Sequence, residues 1–348
     1  MKHIIATALI CLINTSGYCN DVLEVFTGSD NENGIFHIKG SPIIYDFNDF
    51  TVVGKTVDML SEDIERLTGE KPRAIDSSNK ITGNPIIIGT VGHSSIIDSL
   101  VNAKLISVDD IKGKRERYKI KTIEDSRGNH CLVIAGSDRR GTAYGITSLS
   151  RAMGVDPWVW WADVPVKFQP NISVTADFTS KSPSIEYRGI FINDEDWGML
   201  PWAASGLDKD IKDIGPNTYE KVCQLLLRLK GNMLAPAMHS CTGAFYSHPE
   251  NKKIADDYGI IITTSHCEPM LFNNAAKSEW DTARDGVWDY GLNRDVIYGK
   301  FADRLDEAAE FENIYTIGMR GVHDEAMSRE RPIAEKIELL EKVIADQR

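Results

Sequence analysis

Tyr187-Arg188-Gly189-Ile190-Phe191-Ile192-Asn193-Asp194-Glu195-Asp196-Trp197 is a short apolar run that breaks abruptly into a polar cluster. Tyr187 to Ile192 has the length and composition of a strand. The same rhythm recurs three times downstream. Asn232 to Pro236 reads as a strand and is followed by Met238-His239. Gly259 to Thr264 leads into Ser265-His266-Cys267-Glu268-Pro269, with Asn273-Asn274 close behind. Asn313 to Gly318 leads into Met319-Arg320-Gly321-Val322-His323-Asp324-Glu325. Helical spacing fills the intervals at Pro216 to Lys230, Asn251 to Tyr258 and Asn293 to Glu310, and again from Arg329 to Gln347. Pro216 stands in a first turn, where its missing N–H costs nothing.

Strand and helix alternating in this way predict an α/β fold with a parallel sheet. A (β/α)8 barrel needs about eight such units and roughly 250 residues. Four units make half of one, so the barrel reading requires the chain to continue beyond Arg348. A small open doubly wound sheet fits the same four units.

Residues 20–178 read as a separate, smaller α/β domain. Val57 to Leu67 has helical spacing and ends near Gly69. Pro85 to Thr90 and Cys131 to Gly136 are apolar runs suited to buried strands, and Arg117 to Ile123 alternates. Gly141 to Met153 is apolar at helical spacing. Asp156-Pro157-Trp158-Val159-Trp160-Trp161-Ala162-Asp163 closes the unit, and the polar stretch 167–183, with Pro170 and Pro183, reads as a linker.

Residues 1–19 read as a secretory signal peptide. Lys2 and His3 begin it, Ile4 to Ile13 supply the apolar stretch, and Thr15, Gly17 and Cys19 are small enough for a cleavage site. The expected location is therefore secreted or periplasmic. Tyr18 is a poor neighbour for a lipidated Cys19, and the apolar run is too short to span a bilayer. The remaining cysteines, Cys131, Cys223, Cys241 and Cys267, show no zinc-ribbon spacing. With 39 Lys and Arg against 51 Asp and Glu, the net charge is −12 over 348 residues. That balance excludes a basic nucleic-acid face.

The polar clusters carry the functional argument, because parallel α/β folds build their sites at the C-terminal ends of strands. Each cluster also has an ordinary explanation. Asp194 to Asp196 suit an acidic helix start. His239 suits a satisfied structural histidine. Arg320 suits a surface ion pair with Asp324, and His323 and Asp324 suit a helix cap. Four such explanations must hold at once for the clusters to be functionless.

Glycoside hydrolysis needs one protonated carboxylic acid and one carboxylate. Asp194, Asp196, Glu268 and Asp324 are the candidates, and neighbouring carboxyls push their pKa values apart. Alternation is expected to place His266 and Glu268 on one face. Trp161, Trp197 and Trp202 offer flat surfaces to sugar rings. Arg320 offers a planar fork to a uronate carboxylate. His239, His266, Glu268, His323 and Asp324 also form a rival metal-binding set, but no H-E-x-x-H or tight ligand spacing supports it. No G-x-S-x-G elbow and no phosphate loop occur.

The first barrel-like segment, Tyr187 to Trp197, resembles the opening strand of glycoside hydrolase family 115, the xylan α-1,2-glucuronidases. Leu226-Leu227-Arg228-Leu229-Lys230-Gly231-Asn232, Pro236-Ala237-Met238-His239, Thr264-Ser265-His266-Cys267-Glu268-Pro269-Met270 and Tyr315 to Asp324 are similar to the same family. Gly136 to Gly145 and Asp156 to Asp163 resemble its N-terminal domain. The resemblance implies a small N-terminal α/β domain followed, over residues 179–348, by the first half of a TIM-like (β/α)8 barrel. It implies removal of glucuronic acid, or its 4-O-methyl ether, from glucuronoxylan or derived oligosaccharides, with inversion and no cofactor; the ligand spacing leads to the expectation of no metal. It implies dimers in some full-length members. It places Asp194 or Asp196, His239, His266, Glu268, Arg320 and Asp324 around the pocket; Asn193, Asn274 and His323, from the same polar clusters, are further candidates for sugar contacts. Asp324 is then a catalytic carboxylate, expected to activate water, with Arg320 and His266 on the uronate or its hydroxyls. A further family glutamate lies beyond this chain's last residue, so the chain alone is expected to be inactive or to survive only as a carbohydrate-binding remnant.

Overall fold

The computed structural model describes residues 22–27, 35–79, 83–125, 127–327 and 330–348. The leader expected at residues 1–19 lies outside them. Among the described residues no helix is long and apolar enough to cross a membrane.

The first half is a mixed sheet covered on both faces. Its elements are β1 (Val22–Thr27), β2 (Phe36–His37), β3 (Ile43–Tyr45), α1 (Thr51–Thr68), β4 (Ala74–Asp76), β5 (Ile86–Thr90) and α2 (Ser95–Asn102). β6 (Tyr118–Glu124), β7 (His130–Gly136), α3 (Arg139–Ala152) and β8 (Ile172–Thr179) follow. The strand order is β1-β8-β6-β7-β5-β3-β4, with β2 also on β8. Strands buried on both faces read as continuous apolar runs, and Ile86-Ile87-Ile88 shows how they are shared. Ile86 and Ile88 enter the core beneath α1 and α3, while Ile87 joins Ile97 and Leu100 of α2 on the other face. α1 buries Val53, Val57, Leu60, Ile64 and Leu67 at 1% exposure or less, each contributing roughly 1.5–3 kcal/mol. It stops at Gly69, whose φ of 76° is left-handed, with the Gly69 N–H on the Glu65 carbonyl.

The predicted linker over 167–183 is a correction: it contains β8, eight residues paired to β1, β2 and β6. Ile172, Val174 and Ala176 point into the core and alternate with polar residues, a strand period partly masked by the flanking prolines.

The second half holds β9 (Gly189–Phe191), α4 (Met199–Ser205), α5 (Pro216–Arg228), β10 (Met233–Ala235), α6 (Pro249–Asp257), β11 (Ile261–Ile262), α7 (Thr282–Asp285), α8 (Tyr290–Ala308) and α9 (Ile333–Gln347). β9, β10 and β11 form a parallel sheet in sequence order. Gly189 is required by closeness: a Cβ there would sit 2.0 Å from the Met233 carbonyl oxygen. The fourth predicted strand, Asn313 to Gly318, is reduced to one parallel bridge between Ile262 and Asn313, reinforced by Ile314 N–H on the Ile262 carbonyl at 2.9 Å. These parallel segments follow one another in order; they do not by themselves close a barrel.

The two halves share one hydrophobic core, in which α1 and α3 meet α5 and α6. Ion pairs lock the junction. Glu116 is buried and accepts from Arg140 Nε at 3.0 Å, Asn232 Nδ2 at 2.8 Å and Arg188 Nη2 at 2.5 Å. Asp63, also buried, takes both Arg228 nitrogens at 2.8 and 2.9 Å. Removing one partner of such a set strands the others. Glu116→Ala is therefore expected to lower unfolding stability by about 3–5 kcal/mol, whereas Glu62→Ala, at an exposed pair with Arg66, changes it by less than about 0.5 kcal/mol. Urea titration of the two variants checks both values.

Candidate active site

The parallel segments bring their polar clusters to one place. Ile192 N–H bonds the Ala235 carbonyl and Thr263 N–H the Leu234 carbonyl, carrying the strand register up to the point where the chain turns out. Beyond it lies an open cleft of about 630 Å³ lined by Asp196, His239, Cys241, Val322, His323 and Asp324, among others. That size suits a sugar-sized ligand.

One wall is built around His239. Its Nδ1 lies 3.1 Å from Asp196 Oδ1 and its Nε2 lies 3.2 Å from Asn193 Oδ1, with Asp194 Oδ1 at 3.9 Å. A neutral ring donates to one of these oxygens, and an imidazolium to two. The opposite wall is built around Asp324. Arg320 Nη1 reaches Oδ1 at 2.8 Å, His266 Nε2 at 3.1 Å and Cys267 Sγ at 3.4 Å, while His323 Nδ1 is 3.4 Å from Oδ2. The His266 hydrogen bond, then that of Cys267, hold the Asp324 carboxyl below its usual range, with the charges of His323 and Arg320 assisting. Asp324 is thus a carboxylate at neutral pH. The two walls meet where the His239 and His323 rings stand edge to face, 5.3 Å apart.

Beneath the cleft lie buried acids. Glu195 is 1% exposed; its Oε1 accepts the N–H groups of Met238 at 2.7 Å and His239 at 2.6 Å, and the Thr242 hydroxyl at 3.1 Å. It therefore ties the end of β9 to the end of β10 and fixes the backbone that carries His239. Its Oε2 is buried without a hydrogen-bond partner among the described residues. The sequence placed Glu195 in a polar burst but offered no means of telling which of three successive acids turns inward.

Several predicted residues sit elsewhere than expected. His266 and Glu268 do not share a face. A turn closed by the Glu268 N–H on the Ser265 carbonyl leaves His266 exposed and Glu268 buried, outside the cleft lining. Burial pushes the Glu268 carboxyl up to about 8, against hydrogen bonds from Ser265 and with help from the charges of Glu279 and Glu195. Asn274 is buried and structural, donating to the Gly321 carbonyl and accepting from the His323 N–H. Trp197 is 85% exposed and has no aromatic neighbour among the described residues. Trp161 belongs to a different place: it packs against Trp160 and Trp202, and its Nε1 donates to the Lys221 carbonyl. It lines a narrow cavity with Arg66 and Gln224, not the cleft.

Acids, imidazoles and an arginine gathered at the ends of successive parallel strands define an α/β protein built on the plan of an enzyme. The sequence profile of "Glycosyl hydrolase family 115" matches residues 180–348, and this part of the chain belongs to that family. A solved structure described as "A novel family GH115 4-O-Methyl-alpha-glucuronidase, BtGH115A, with specificity for decorated arabinogalactans" is 38% identical, with a TM-score of 0.79. The match covers 90% of this chain and 40% of that one, so this chain spans less than half of its solved relative's length. The β-N-acetylhexosaminidase from Streptomyces coelicolor A3(2) is 13% identical with a TM-score of 0.49, covering 93% of this chain and 63% of its own; likeness at that level assigns no function. No curated protein sequence matches.

Glu268 makes stability depend on pH in a definite direction. Its folded value is raised from 4.5 to about 8, so the folded state holds a proton that the unfolded state releases between those values. The stabilisation is full below about 4.5 and is lost as pH rises towards 8. Glu268→Gln is expected to flatten this decline, which urea midpoints measured from pH 5 to pH 9 on both proteins reveal.

Proposed function

We propose that this chain supplies the strand-end pocket of a glycoside hydrolase that removes glucuronic acid, or its 4-O-methyl ether, from a plant polysaccharide. The observation that carries the reading is Asp324, a carboxylate kept charged by His266 and Cys267, with Arg320 assisting, at the edge of a sugar-sized cleft. Family membership of residues 180–348 supports the same chemistry. In an inverting hydrolysis a carboxylate of this kind activates water, and a second, protonated carboxyl meets the leaving oxygen. Asp324 fits the first role. The uronate then binds against His239 and His323, with the charge of the Arg320 guanidinium close by on Asp324.

Two substrates follow from two observations. The sequence motifs resemble those of xylan glucuronidases, which favours glucuronoxylan. The 38% identical structure, described as specific for decorated arabinogalactans, favours an arabinogalactan. Export through the predicted leader and pairing of two chains belong to the same proposal and rest on the leader sequence and on family likeness.

A second reading has its own support. The carboxyl that stays protonated, Glu268, is buried away from the cleft lining, and Asp196 is engaged by His239. Asp196 and Glu325 line the cleft with Asp324, but the Glu268 carboxyl that burial holds protonated does not, and a pocket of that kind suits sugar binding without cleavage.

Release of free uronic acid from glucuronoxylan and from a glucuronidated arabinogalactan separates these readings. Turnover of either is expected to fall by about 10²- to 10⁴-fold in Asp324→Asn, with folding unchanged by circular dichroism. Binding of 4-O-methylglucuronate by calorimetry without release of product supports the binding pocket. Turnover that survives Asp324→Asn refutes the role given to that carboxylate.

A further inference from the structure

Asp324 Oδ1 is contacted by two atoms that also make good metal ligands, the imidazole Nε2 of His266 at 3.1 Å and the thiol of Cys267 at 3.4 Å. All three ligand atoms lie within 4.8 Å of one another. A tetrahedral zinc with bonds of about 2.0–2.3 Å holds its ligand atoms roughly 3.4–3.6 Å apart. The two measured separations fall within a few tenths of an ångström of that spacing.

The ligands come from two strand ends far apart in sequence, which is why no spacing motif betrays them. His266 and Asp324 are exposed and Cys267 is buried, so an ion arriving from solvent meets the nitrogen and oxygen before the sulfur. A sulfur, a nitrogen and an oxygen donor together select a borderline or thiophilic ion over calcium or magnesium. A second group, Asp194, Asp196 and His239, has similar proximity but lacks sulfur. Arg320 stands in the way, since its Nη1 occupies the same Asp324 oxygen. It need not leave altogether, because its Nη2 also donates to the Asp324 backbone carbonyl at 2.8 Å.

We propose that His266, Cys267 and Asp324 form a zinc-binding site at the edge of the cleft, in competition with Arg320, with the fourth position open to water. Zinc there engages the carboxylate given the water-activating role in the proposed hydrolysis, so bound metal opposes that role. The metal site itself stands independently of that hydrolysis and is tested without it.

Zinc chloride titrated by calorimetry into the whole chain, in buffer free of chelators, is the direct probe. One equivalent is expected to bind. Cys267→Ser is expected to weaken binding by roughly tenfold or more through loss of the thiolate ligand, and Arg320→Ala to tighten it by removing a competing cation. Cys241→Ser, at the thiol that lines the cleft, is expected to leave it unchanged. Cobalt(II) in the wild-type protein is expected to show a thiolate-to-metal charge-transfer band in the near ultraviolet, a readout that does not need the serine variant to fold. Absence of zinc binding, equal binding by Cys267→Ser, loss of binding in Cys241→Ser, or a cobalt adduct without the charge-transfer band overturns the proposal.

Discussion

A single buried carboxylate, that of Glu116, holds the architecture in register. It sits between the mixed sheet and the parallel segments, and its three donors are Arg140, Arg188 and Asn232. Around it the first half grips the base of each parallel segment in turn. Arg188 and Asn232 precede β9 and β10; Arg140 donates to the Gly259 carbonyl just before β11, and to Glu312 just before the bridge at Asn313. The Tyr144 hydroxyl adds a bond to the Gly231 carbonyl. Charges this deep are costly unless every one is met, so the bases of the segments are held by one interlocked polar set. The opposite ends are left free of that constraint, and the cleft is built there.

Left-handed backbone occurs at both ends of the segments, and at the base Glu116 and Lys230 take positive φ. Among the described residues, Asp194, Met270, Leu271 and His323 all take positive φ without being glycine, and all four lie just past the ends of the parallel segments. Such conformations cost energy and persist where surrounding contacts over-determine them. Here the contacts are visible: the Glu195 carboxylate clamps the backbone at Met238 and His239, and Asn274 clamps that at Gly321 and His323. Both clamps act on main chain and leave the imidazoles of His239 and His323 facing the cleft.

Much of this was legible in the sequence, for reasons that also explain the rest. Long periodic segments such as α1 and α5 announce themselves through spacing, although α1 begins six residues before Val57 because its first turn, Thr51-Val52-Val53-Gly54, consists of β-branched residues and a glycine, all weak helix formers. β8 was hidden because alternation between buried aliphatic and polar residues, flanked by prolines, has the composition of a linker. The fourth segment looked like its predecessors, yet pairing depends on partners, and Asn313 makes only one bridge. At the cleft, His239, His323 and Asp324 belong to the strand-end clusters marked by position, and His266 and Arg320 bond to Asp324. Which acid faces in could not be read from the sequence, because Glu195 and Glu268 owe their inward turn to backbone geometry at Asp194 and Ser265 that residue type does not dictate. Trp161 shows the converse error, since an aromatic suited to sugar is equally suited to a domain junction.

That junction has an optical consequence. Trp160 and Trp161 come from the segment before β8, whereas Trp202 rides on α4 beyond β9, and the three rings stand 5.0 to 6.0 Å apart. Indoles this close couple electronically and quench or transfer to one another over ångström-scale changes. The trio is therefore a built-in ruler across the seam: any shift of α4 against the neighbouring sheet alters its emission and near-ultraviolet dichroism, with no label attached.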